Sequence, residues 1–142
     1  MLAQNYVRTY RTNSVLTASP GQLVLMLYDG ALKALTLADE ALARPADDFR
    51  RIAVINEQLL KAQRILSELQ GTLNFEAGDG KLAREMDRLY DYYIRKLLEA
   101  NIRKDPAPVK EVERLLRELR DGWAEMLQKN DAPRSESVRS VA

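Results

Sequence analysis

Ser19-Pro20-Gly21-Gln22-Leu23-Val24-Leu25-Met26-Leu27-Tyr28-Asp29-Gly30-Ala31-Leu32-Lys33-Ala34-Leu35 decides the fold. Ser19 offers a side-chain oxygen to the free amides of a helix start. Pro20 suits the first helical position, and Gln22 stands three residues after the cap, so the motif is a capping box with a proline inside it. Beyond it, Leu23, Leu27, Tyr28, Leu32 and Leu35 recur at steps of three and four. That spacing predicts a helix running to about Ala43, where Arg44-Pro45 ends it.

Three more segments follow in the same style. Ile52, Ile55, Leu59, Ala62, Leu66 and Leu69 form one straight stripe, opened near Asp47 or Asp48 and fading at Gly71 to Leu73. After a loop with two glycines, Asn74 to Gly80, Asp79 can cap a third stripe of Leu82, Met86, Leu89, Tyr90, Tyr93, Leu97 and Ala100. Asp105-Pro106 repeats the cap-then-proline signal before Val109, Val112, Leu116, Leu119, Trp123 and Met126. The segments span about 19–43, 47–72, 79–103 and 106–128. Helices of this size are each on the order of 30–37 Å long, and short connections favour antiparallel neighbours. The expected fold is all-α, an antiparallel up-down four-helix bundle at 19–128, with an N-terminal arm at 1–18 and a frayed, flexible tail at 129–142.

Bulk composition agrees with one self-standing domain. The chain has 142 residues, 46% of them hydrophobic, with few glycines and prolines. A chain of this size buries enough surface to need no disulfides or metals. There is no Cys and no His, which removes the commonest general base, the thiol nucleophile and nearly every zinc site. No cofactor and no catalytic activity are expected. Carboxylates such as Asp29, Glu57, Glu76 and Asp91 read as helix-surface charge. Basic and acidic residues nearly cancel, leaving +1, so no concentrated basic face points to nucleic acid. No apolar run is long enough for a membrane span and no leader pattern opens the chain, so a cytosolic protein is expected.

The helical wheels hold more apolar surface than a bundle needs. The first segment is apolar around most of its circumference, Leu25 included, with a polar strip of Gln22, Asp29, Lys33, Thr36 and Glu40. Val54 and Ile65 lie on one flank of the second stripe and Leu60 on the other, while Ile94 and Leu98 flank the third, with Tyr92 opposite. Such residues read either as scattered exposure or as a contiguous interface. Before the first helix, Tyr6, Val7, Tyr10, Val15 and Leu16 would be wetted unless the arm docks over an apolar groove. Substituting Ile65 by aspartate is expected to weaken partner binding with little loss of stability.

Three stretches carry a family resemblance. The first runs from Tyr10-Arg11-Thr12-Asn13-Ser14-Val15-Leu16-Thr17-Ala18-Ser19-Pro20 through Met26-Leu27-Tyr28-Asp29-Gly30. The second is Lys61 to Leu69 with Thr72-Leu73-Asn74, and the third joins Leu89 to Tyr93, Leu98 to Ile102 and Glu111 to Trp123. Together, from about Tyr10 to Leu127, they resemble the flagellin export chaperones of the FliS family. The resemblance implies a bacterial cytosolic protein, built as an antiparallel helical bundle, that binds the disordered C-terminal region of flagellin. It would hold flagellin from early polymerisation and help deliver it to the flagellar type III export gate. Other flagellar regulators are implied as further partners. It also implies that the arm occupies part of the client site when the chaperone is empty. A client contact is implied for Tyr10, with Asn13 and Val15 in the same motif. For Ser19-Pro20 and Tyr28-Asp29-Gly30 the structural readings are a cap and a helix-packing spot at Gly30. A bundle that only self-associates, in a structural or adaptor role, is the alternative; the free protein is expected to be a monomer or weak dimer.

Overall fold

A computed structural model describes residues 18–141, and side chains as far as Asn130. Among the described residues there are four helices, α1 Pro20–Leu42, α2 Arg51–Gly71, α3 Lys81–Arg103 and α4 Pro106–Val141, and there is no strand. Each helix packs on its two chain neighbours around a ring, with α1 also against α4. Side-chain pairs fix the directions. Asp39 meets Lys110 at 3.0 Å, Thr36 meets Glu113 at 3.4 Å, Asp29 meets Arg120 at 2.8 Å, and Trp123 Nε1 donates to the Gly21 carbonyl at 2.9 Å. As numbers rise along α1 they fall along α4, so the two are antiparallel. Gln63 and Gln70 of α2 reach Ile94 and Asp87 of α3 in the same opposed sense. The architecture is the up-down-up-down bundle expected from the stripes.

The helix starts follow from local chemistry. Ser19, in extended conformation, accepts from the Gln22 amide at 3.2 Å, and Pro20 takes the first helical position. At α2 the start lies later than expected. Asp48 Oδ1 accepts from Arg50 N at 2.9 Å, which closes a turn, and the helix proper begins at Arg51. Asp79 takes the Lys81 amide at 2.9 Å, but the cap residue itself is Gly80, at φ 73°. A methyl group on Gly80 would lie 2.5 Å from the Phe75 carbonyl oxygen, so both the backbone angle and the close approach require glycine there. Asp105 Oδ1 accepts from Ala107 N at 3.0 Å beside Pro106.

The fourth helix differs at its far end. Its backbone stays helical past 128 to Val141, through the stretch expected to be a tail. Pro133 does not end it, because a proline inside a helix removes one amide donor and bends the axis without having to terminate it.

The core is one contiguous cluster. Leu35, Ile55, Leu59, Leu66, Tyr93, Leu97, Val109, Val112 and Leu116 are fully buried. Each stands on a stripe read from the sequence. Gly30 is the expected packing spot: a methyl group there would sit 3.4 Å from Ile65 Cδ1.

Candidate functional site

At one end of the bundle the core stripes continue past the point where the helices close on each other. α3 and α4 share the smallest of the four helix interfaces. Between the first turns of α3 and the late turns of α4 lies a groove of about 780 Å³. Leu82, Ala83 and Met86 line it from α3, Leu119, Trp123 and Met126 from α4, and Val24 and Tyr28 from α1. Thr72 to Asn74 and Ala77 to Asp79 of the α2–α3 loop form the remaining wall. The periodicity that buries Leu97 leaves Leu82 72% exposed and Met126 38% exposed. Trp123 is held in place by its bond to the Gly21 carbonyl, at the start of α1.

The groove is apolar, with Asp79 and Glu118 as the charged residues of its lining. Tyr28 and Tyr90 meet inside it, hydroxyl to hydroxyl, at 2.5 Å. Burial raises both phenols above the usual tyrosine range, and it pushes Tyr93 up to about 12. Desolvation is the leading cause in each case, because a phenolate loses more hydration than a phenol. The sign for stability follows. These groups favour the folded state fully below pH 10, the ordinary tyrosine value; Tyr93 loses that contribution as pH rises through about 12, and Tyr28 and Tyr90 lose theirs as pH rises through their own raised values. An alkaline titration read by tyrosinate absorbance should therefore be split. The buried three ionise above the ordinary tyrosine range, together with loss of helical circular dichroism and apart from any tyrosine that is not buried. Simultaneous ionisation of all tyrosines near pH 10, with the helix intact, would contradict this.

The structure separates the residues singled out from the sequence. Tyr6, Tyr10, Asn13, Val15 and Leu16 lie outside the described residues. Leu25 shares a helix row with Gly21 and Asp29, both of which meet α4, and so stands half-buried at the α1–α4 seam. Val54 and Ile65 are half-buried on the flank of α2 towards α1, packed against the core. Ile65 meets Gly30, so a charge there would act on helix packing as well as on any partner. Ile94 is half-buried beside α2, and only Leu60 and Leu98 are freely exposed, each at 49%. The two flanks read from the wheels are therefore two separate seams, and none of these six residues lines the groove.

The groove itself was hidden in the core stripes. Leu82, Met86, Tyr90, Leu119, Trp123 and Met126 share the periodicity of the buried residues. The available hint was composition: two methionines and the single tryptophan cluster at the ends of two stripes, and such side chains suit an adaptable binding surface.

Among the described residues no acidic cluster is arranged to hold a metal ion, and no helix is long and apolar enough to cross a membrane. A helical bundle with an apolar groove, none of whose described charged side chains is buried, has the form of a protein-binding module. The sequence model of the family described as Flagellar protein FliS matches residues 2–130. The Flagellar secretion chaperone FliS of Bacillus subtilis is 43% identical over 128 residues, covering 90% of each chain. That of Salmonella typhimurium is 37% identical over 122 residues, covering 85% of this chain and 86% of the relative. The Flagellar secretion chaperone FliSB of Pseudomonas aeruginosa is 35% identical over 127 residues, covering 87% and 96%. The chain belongs to the FliS family of flagellar secretion chaperones.

Proposed function

We propose that this protein is a cytosolic chaperone for flagellin, and that the groove between α3 and α4 receives an apolar segment of flagellin's disordered C-terminal region. One observation carries the reading: the core stripes of α3 and α4 run on into an apolar groove that no other described element covers. A disordered client gives up about 2–5 kcal/mol of interaction energy in ordering. At roughly 25 cal/mol per Å², about 200 Å² of apolar burial offsets the upper figure, and a single buried aromatic side chain covers roughly 150–250 Å². Shielding that segment would keep flagellin from polymerising before delivery to the export gate, where other flagellar regulators would meet the complex.

The arm at 1–18 has a place in this reading. It joins the described chain at Ala18, three residues before Gly21, whose carbonyl accepts from Trp123 of the groove's wall. Fully extended at roughly 3.3 Å per residue, 18 residues span at most about 60 Å. Tyr6, Tyr10, Val15 and Leu16 give it apolar side chains for the same groove, so arm and client would compete. Asn13 and Val15, in the Tyr10 motif, would then serve both states.

Calorimetric titration with a flagellin C-terminal segment tests the proposal: saturable binding supports it and absence of binding overturns it. Removing residues 1–18 should leave the helical circular dichroism unchanged and alter the affinity; loss of helix would contradict the division into arm and bundle. Self-association is the second reading, favoured by Leu60 and Leu98 exposed on adjoining helices. A concentration-independent dimer in light scattering of the free protein would support it.

A further inference from the structure

Two phenolic O–H groups carry two protons, and a bond between them uses only one. Tyr28 and Tyr90 are in this situation, 2.5 Å apart at the groove. Among the described residues, neither hydroxyl has another hydrogen-bond partner. The polar side chains of the lining are engaged elsewhere. Thr72 donates to the Leu69 carbonyl, Asn74 accepts from the Glu76 amide, Asp79 accepts from the Lys81 amide, and Glu118 pairs with Arg114. The remaining neighbours, such as Val24, Met86 and Leu119, offer no side-chain acceptor. One O–H of the pair is left to donate outward. Tyr28 and Tyr90 keep only 3% and 2% of their surface accessible, and both line the groove, so in the free protein the acceptor available to that O–H is water in the groove. An occupant that expels the water must accept in its place, or the hydroxyl is buried unsatisfied.

We infer that the tyrosine pair is a specificity device: it donates one hydrogen bond to the groove's occupant, and the client segment places a carbonyl oxygen over Tyr28 and Tyr90 among otherwise apolar contacts. The inference rests on the groove being the client site. It supplies what the walls lack. Apolar walls accept many side chains in several registers, whereas one fixed donor rejects registers that bring no acceptor to it. Because either hydroxyl can donate to the other, either can be the outward donor.

That symmetry sets the test. Affinity for a flagellin C-terminal segment is measured calorimetrically on the full chain, on Tyr28→Phe, on Tyr90→Phe, on the double variant, and on Leu82→Asp as a groove control. Each single variant keeps one hydroxyl free to donate, and its affinity should stay within about threefold of the parent. The double variant should lose about tenfold, with unchanged helical circular dichroism. A double variant within about twofold of the parent, where Leu82→Asp binds poorly, overturns the hydrogen bond and leaves the groove standing. If Leu82→Asp also binds normally, the groove assignment fails and the inference fails with it. Tyr28→Phe with Tyr90→Leu is a second hydroxyl-free pair, to be read the same way if the first does not fold.

Discussion

Leu82→Asp is expected to weaken binding of a flagellin C-terminal segment by roughly 30–100-fold, or about 2–3 kcal/mol, the scale of an interface hot spot. The stability of the chaperone should change little. Leu82 is 72% exposed in the free protein, so its removal creates no cavity. It is also the second residue of α3, where a carboxylate interacts favourably with the free amides of the helix start. Substitutions at such positions usually stay within about 0.5 kcal/mol in stability. In the occupied groove the same carboxylate would be buried against Met86, Leu119 and Met126 with no cation in the lining to pair with. Calorimetry with the client segment and thermal unfolding of the free chain check the two halves. Undiminished affinity would remove Leu82 from the site.

Leu97→Ala should do the reverse. Leu97 lies on the same stripe of the same helix but is 0% exposed, within the cluster that includes Leu35, Leu59 and Leu66. Truncating a leucine there removes its burial and leaves a cavity that neighbouring helices fill only in part, at a cost of about 2–5 kcal/mol. Against a typical domain stability of about 5–15 kcal/mol, that shift is easily seen in chemical denaturation. Binding measured well below the unfolding midpoint should be close to normal, since Leu97 does not line the groove. A loss under about 1 kcal/mol would mean that the bundle repacks around position 97 far more freely than its buried cluster suggests.

Leu82 and Leu97 also mark the boundary of what periodicity can say. Steps of three and four give the direction in which a side chain points from its helix. They placed Val54 and Ile65 on one side of α2 and Leu60 on the other, and in the structure Ile65 meets Gly30 of α1 while Leu60 is exposed. Periodicity does not say whether another helix stands opposite. That depends on where α3 and α4 part, and on the α2–α3 loop with Gly78 and Gly80 at positive φ, a segment without periodic signal. The cap at Ser19 and the turn before Pro106 were legible because each is a local chemical event. The later start of α2 was not, because Asp48 caps a turn where it could equally have capped the helix. Gly30 was legible as a packing spot from the motif around it; its partner Ile65 reads on the wheel as a flank residue, either scattered exposure or part of an interface, because the wheel does not show how closely α1 and α2 approach at a glycine.

Trp123 is the single tryptophan of the chain and lines the groove, half-buried, with its indole N–H on the Gly21 carbonyl. Its fluorescence therefore reports on the groove alone. Adding a tryptophan-free flagellin C-terminal segment should shift its emission to shorter wavelength, saturably, with the same midpoint as calorimetric binding. A segment that binds by calorimetry while the Trp123 emission stays unchanged would place the client elsewhere on the bundle.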